Sequence, residues 1–141
     1  MTVRNAKSVW NGTLKKGEGK MNFSDYSGPF TFASRFEEGK GTNPEELVGA
    51  AHSGCFSMFL AALISEEDLT PESVETESKV TLGNDDTGPF ISNIKLTCRV
   101  KCDGLDSGKF DKLAKDAKAK CPISRLYTGG TAKIELDAKL V

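Results

Sequence analysis

Two cysteines stand in contrasting settings. Cys55 lies inside Leu47–Ile64, a stretch with no Asp, Glu, Lys or Arg, whereas Cys121 directly precedes Pro122 at the end of a Lys/Ala-rich helical pattern. A thiol attacks peroxides, disulfides or carbonyls as its thiolate, and burial among apolar neighbours disfavours that form. Cys55 therefore needs a cation that its own helix does not offer. The polar segment Ser34-Arg35-Phe36 is a candidate source. Without one, Cys55 is a small core residue. Cys121 would sit at the negative end of its helix, which makes it a poor first nucleophile. It is either a second thiol that condenses with an oxidised Cys55 or the last residue of a core stripe. His52 is within i,i+3 reach of Cys55, but no partner that would orient its ring is identifiable. It reads as a polar residue facing a pocket or a dimer partner.

Cys98 and Cys102 look more like a motif and promise less. Alternation puts both on the apolar face of one strand. A structural zinc site usually takes four Cys/His ligands, and the chain has one histidine. Both are expected in the core.

The elements that position these groups follow from pattern. Lys7–Asn11, Gly19–Phe23 and Pro29–Phe32 read as strands of an antiparallel meander, separated by glycine-bearing turns, with a polar loop over Phe36–Thr42. Asn43 is a helix cap, Pro44 fits the first helical position, and Glu45 and Glu46 complement the positive end of the dipole. That helix should run to about Ser65. One face would carry Leu47, Ala50, Ala51, Gly54, Cys55, Met58, Phe59 and Ala62, with Val48, Phe56, Leu60 and Leu63 adding apolar groups elsewhere, and a helix apolar nearly all round is buried on several sides at the centre of a fold. Ser73–Leu82 and Phe90–Cys102 alternate as strands, and Ala132–Val141 closes the chain with another. Between them Phe110, Leu113, Ala114, Ala117 and Cys121 form the buried stripe of a second helix, which Pro122 ends. The order is βββ-α-ββ-α-β, an α+β chain.

At 141 residues the chain is expected to be one domain, 1–141, large enough to bury a core without disulfides. Its 19 basic and 20 acidic residues are mixed, which gives no electrostatic reason for nucleic acid or anionic membrane as partner. Met1–Asn11 has no apolar signal region, so a cytoplasmic setting is expected. Leu47–Ile64 is long enough for a membrane span. His52, Ser53 and Ser57 interrupt it, and it has acidic flanks without Lys/Arg or aromatic belts, which argues against that reading.

Several blocks together resemble the OsmC/Ohr family of thiol-dependent hydroperoxide reductases, in its osmotically inducible branch. They are Arg35-Phe36, Gly41-Thr42-Asn43-Pro44-Glu45-Glu46-Leu47, Ala50-Ala51-His52-Ser53-Gly54-Cys55-Phe56-Ser57-Met58 and Lys118-Ala119-Lys120-Cys121-Pro122-Ile123-Ser124. The resemblance covers essentially the whole chain. It implies an intertwined homodimer with a long buried helix between antiparallel sheets and two active sites at the interface. It implies Cys55 as peroxidatic and Cys121 as resolving thiol, Arg35 as the cation on the thiolate and Glu45 as the carboxylate that orients Arg35. Phe36, His52, Phe56 and Met58 become pocket candidates. The implied substrates are organic hydroperoxides and hydrogen peroxide, and the implied reductant is a dithiol such as a dihydrolipoyl group. No metal, haem or flavin is implied. Cys98 and Cys102 lie outside the family pattern. The competing expectation is a non-catalytic, stress-related ligand-binding dimer of the same fold, in which Cys55 is only core.

Overall fold

The computed structural model describes residues 1–141. The chain is α+β, with two three-stranded sheets. In order, the elements are β1 (Lys7–Asn11), β2 (Glu18–Phe23), β3 (Tyr26–Thr31), α1 (Phe32–Phe36), α2 (Pro44–Ser65), β4 (Ser73–Asp85), β5 (Gly88–Lys101), α3 (Ser107–Lys120), α4 (Pro122–Tyr127) and β6 (Lys133–Leu140). The chain groups into two compact units, Met1–Leu47 and Val48–Val141.

The first unit is the expected meander, β1-β2-β3, antiparallel throughout. Its second hairpin is tighter than expected. Phe23 pairs with Tyr26, so Ser24 and Asp25 alone make the turn, with Ser24 at φ 47°. Trp10 and Phe30 meet across the middle strand at 5.2 Å between ring centroids. Gly19, which pairs with both residues, makes that contact possible. A Cβ at Gly19 would lie 2.7 Å from ring atoms of each. The alternation expected to carry a strand through Phe32 instead breaks at Thr31. The Thr31 hydroxyl accepts from Ser34 N–H at 3.1 Å, and the Ser34 hydroxyl accepts from Thr31 N–H at 2.8 Å. This reciprocal cap starts α1.

The second unit holds the core. Phe56, Leu60 and Ile64 of α2, Leu96, Cys98 and Val100 of β5, and Phe110, Leu113, Ala114 and Ala117 of α3 form one buried cluster. Burying each large side chain contributes roughly 1.5–3 kcal/mol before entropy is counted. Cys98 and Cys102 belong to this cluster, as expected. Gly49 lets α2 approach β4: a Cβ there would meet Val80 Cγ2 at 3.3 Å.

Three expectations need correction. The sheet of the second unit is mixed. β4 and β5 pair antiparallel, but β6 runs parallel to β5, because the chain returns through α3 and α4. The buried stripe of α2 is Gly49, His52, Phe56, Leu60 and Ile64, while Ala50, Ala51, Gly54, Met58 and Ala62 are exposed. Pro122 does not simply end a helix. It ends α3 and opens α4 as its first residue.

Candidate functional site

The sequence-predicted residues fall into two groups, one in each unit. In the first, Arg35 occupies the last turn of α1 and Glu45 the first turn of α2. Arg35 Nε donates to both Glu45 carboxylate oxygens at 3.2 Å, and Nη2 donates to Oε1 at 2.7 Å. This is a forked, charge-assisted pair. Neighbouring bonds fix both elements. Asn43 Oδ1 accepts from Glu46 N–H at 2.8 Å, which is the expected cap, and Asn43 Nδ2 donates to Ser34 O at 3.1 Å. The Ser34 hydroxyl also donates to Thr42 O at 2.8 Å. The guanidinium lies 5.0 Å from the centre of the Phe36 ring. Beside it opens an apolar cleft of about 380 Å³, lined by Trp10, Phe30, Phe32, Arg35, Phe36 and Pro44. The aromatic residues of the meander were missed as cleft residues; their signal was aromatic side chains at paired strand positions.

In the second unit Cys55 and Cys121 come together. Cys55 is half-buried on the edge of α2; Cys121 is fully buried between α3 and α4. Burial pushes the Cys55 thiol up; the Ile123 backbone opposes this, and the neighbouring Cys121 thiol adds to it. No lysine or arginine of this unit contributes, so the need for an external cation stands. The side chain that brings Cys121 there is explained by spacing: Phe110, Leu113, Ala114, Ala117 and Cys121 share the buried face of α3, with lysines outward.

The local electrostatics at Cys121 differ from the sequence expectation. Its own N–H donates to Ala117 O at 2.9 Å and closes α3, but its sulfur caps the next helix. Sγ accepts from Ser124 N–H at 3.3 Å. The sulfur thus faces a backbone donor rather than the terminal carbonyls of α3.

His52 does not face an open pocket. It is fully buried, and Nε2 lies 2.7 Å from Ser124 Oγ. The Cys121 thiol donates to the same Ser124 oxygen at 3.1 Å. Tyr127 stands edge-on to the imidazole, with centroids 5.3 Å apart, and its hydroxyl donates to Val48 O at 3.4 Å. His52 Nδ1 has no partner. Burial pushes the His52 pKa down, so the neutral ring is favoured. Phe56 is wholly within the core and Met58 is 78% exposed; neither lines the cleft beside Arg35. Ser124 and Tyr127 carried no local signal.

The arrangement can support thiol–disulfide chemistry, since one accessible sulfur adjoins one buried sulfur. Comparisons with known proteins point to a hydroperoxide-related redox role. The family model described as OsmC-like protein matches residues 37–137. The chain is 41% identical over 146 residues to Peroxiredoxin OsmC of Escherichia coli (strain K12), covering 99% of each. It is 34% identical over 100 residues to the organic hydroperoxide resistance protein OhrB of Bacillus subtilis (strain 168), covering 70% of this chain and 71% of that one. The crystal structure of an OsmC-like protein from Mycoplasma pneumoniae superposes with a TM-score of 0.80 over 99% of this chain and 98% of that chain, at 14% identity.

Proposed function

The chain belongs to the OsmC/Ohr family, and from that membership we propose that it is a thiol peroxidase that reduces organic hydroperoxides, and hydrogen peroxide as well. The observation that carries the reading is the neighbouring pair of thiols, Cys55 partly buried and Cys121 fully buried. Cys55 attacks the O–O bond of ROOH; ROH leaves and the Cys55 sulfur becomes a sulfenic acid. Cys121 attacks that sulfur, water leaves, and a Cys55–Cys121 disulfide remains. A dithiol, of the dihydrolipoyl type or a small molecule, then restores both thiols by exchange. Arg35 supplies the positive charge that Cys55 lacks, and Glu45 holds its guanidinium by the forked contact. The aromatic cleft beside Arg35, with Phe36 in its wall, takes the organic group of the peroxide. The working assembly is a homodimer, and the setting is the cytoplasm, where reductants keep such thiols in cycle.

The test is consumption of cumene hydroperoxide with a dithiol by the parent, Cys55→Ser and Cys121→Ser. The expected result is turnover by the parent and none by Cys55→Ser. Cys121→Ser should reduce one equivalent of peroxide and then accumulate sulfenic or over-oxidised Cys55, visible by mass spectrometry. Full turnover by either variant would contradict the assigned roles. No turnover by the parent with any dithiol would leave a ligand-binding dimer.

A further inference from the structure

Cys121 poses a problem that the two-thiol cycle leaves open. A thiol that attacks a sulfenic acid must lose its proton, and Cys121 is fully buried. Its proton cannot pass directly to water. The hydrogen bond that its S–H donates goes to Ser124 Oγ, at 3.1 Å. Ser124 is itself fully buried, and its hydroxyl meets His52 Nε2 at 2.7 Å. His52 comes from α2, Ser124 from α4, and Cys121 from the junction of α3 and α4. Three elements thus converge on one line of hydrogen bonds that ends on an imidazole.

From this geometry we infer that Ser124 and His52 form a proton-transfer chain that activates Cys121 for disulfide formation. This inference rests on the peroxidase reading for the origin of the Cys55 sulfenic acid. As the Cys121 sulfur forms its bond to Cys55, its proton passes to Ser124 Oγ, and the Ser124 hydroxyl proton passes to His52 Nε2. The S–O bond of the sulfenic acid breaks with its electron pair on oxygen, and the departing hydroxide takes one proton from solvent beside the partly exposed Cys55 and leaves as water. His52, equally buried, loses its proton to the medium only after the disulfide has formed, on the slower timescale of local opening. The net change is one thiol and one sulfenic acid giving one disulfide and one water. Ser124 touches the reacting sulfur; His52 acts through it as a positioning residue and proton store.

Three observations support this beyond a packing role. Burying an imidazole with an unpartnered Nδ1 carries a desolvation cost that an apolar residue would avoid. Burial keeps the ring neutral, and in the tautomer protonated at Nδ1 its Nε2 can accept a proton from Ser124. The Ser124 backbone N–H also donates to the Cys121 sulfur, at 3.3 Å, where negative charge develops during attack. The titratable groups that face this chain are Cys55 from α2 and Tyr127 from α4. No ion pair reaches His52, and desolvation alone shifts it.

The step can be timed without peroxide. Ellman's reagent converts Cys55 to a mixed disulfide and releases one equivalent of thionitrobenzoate; attack by Cys121 releases a second. The expected second release is about 100-fold slower in Ser124→Ala and in His52→Gln, the scale of general-base assistance. Ser124→Thr, which keeps the hydroxyl, should recover most of the rate. In the parent the second rate should fall as acid protonates His52, and His52→Gln should lack that limb. Second rates within about twofold of the parent in both variants, with the same pH profile, would overturn the inference. So would a parent with no second release. Circular dichroism and thermal melting check folding, and Ser124→Thr keeps the test alive if Ser124→Ala does not fold. Cumene hydroperoxide consumption by the parent, run alongside, separates failure of the peroxidase reading from failure of the proton chain.

Discussion

His52 is the side chain whose surroundings differ most from what free imidazole prefers. It is fully buried, holds one hydrogen bond, and has no charged partner. Burial lowers its pKa from the ordinary 6.5. The unfolded chain therefore binds the His52 proton more readily than the folded one. The stability that this residue contributes is full above about pH 6.5 and is lost as pH falls from there through the lowered folded value. Urea denaturation of the parent between about pH 7 and pH 5 should show stability falling with acid, and His52→Gln should flatten that slope whatever its absolute stability. An unchanged slope would mean that the imidazole protonates in the fold without cost. The sequence could suggest that His52 mattered, through its place one turn before Cys55. It could not supply Ser124, because 72 positions separate the pair and no periodicity links α2 to α4.

At the scale of elements, α2 was legible at both ends and illegible around its girth. Asn43, Pro44, Glu45 and Glu46 mark its start, and it ends at Ser65 as expected. Its most buried face could not be singled out because Leu47–Ile64 contains no charge to mark the outside, so spacing had nothing to contrast. α3, with lysines outward, was read correctly for the opposite reason. The short helices α1 and α4 escaped because their starting signals belong to neighbours: Thr31 closes β3 as it caps α1, and Cys121 closes α3 as it caps α4. The Arg35–Glu45 pair was named from resemblance, and its forked geometry depends on α1, which spacing did not reveal. The aromatic wall beside it depends on one strand position. Gly19→Val should push Trp10 and Phe30 apart, since ring atoms of both lie 2.7 Å from where a Cβ would sit. The expected result is a raised KM for bulky organic hydroperoxides, with a smaller effect for hydrogen peroxide, measured by steady-state kinetics. Equal losses for both substrates would mean that the cleft does not select for the organic group.

At the scale of the whole molecule, much apolar surface is left uncovered within one chain. β1, β2 and β3 bury only Gly28, although a small sheet needs a covered face to be stable. On α2 the exposed row of Ala50, Ala51, Gly54, Met58 and Ala62 is smooth and uncharged, and a Cβ at Gly54 would meet nothing within 4 Å. The proposed homodimer would cover such surfaces. Light scattering after size exclusion should give twice the mass of one chain for the parent. Met58→Glu should shift the equilibrium to monomer, because a buried unpaired carboxylate is strongly disfavoured. A Met58→Glu variant that stays dimeric would place the interface elsewhere.

The parallel pairing of β6 with β5 also governs the chain's passage off the ribosome. β5 lies between β4 and β6, and Asn93 to Val100 find their second neighbour only in Lys133 to Leu140. Nascent β5 is completed on one side by its hairpin partner, and its other edge stays open until α3 and α4 have emerged. An open edge invites pairing with a second nascent chain. Lys95, Arg99 and Lys101 project from the exposed side of that strand and act as gatekeepers during the wait. β6, made after β5, is the strand that withdraws that edge from competition.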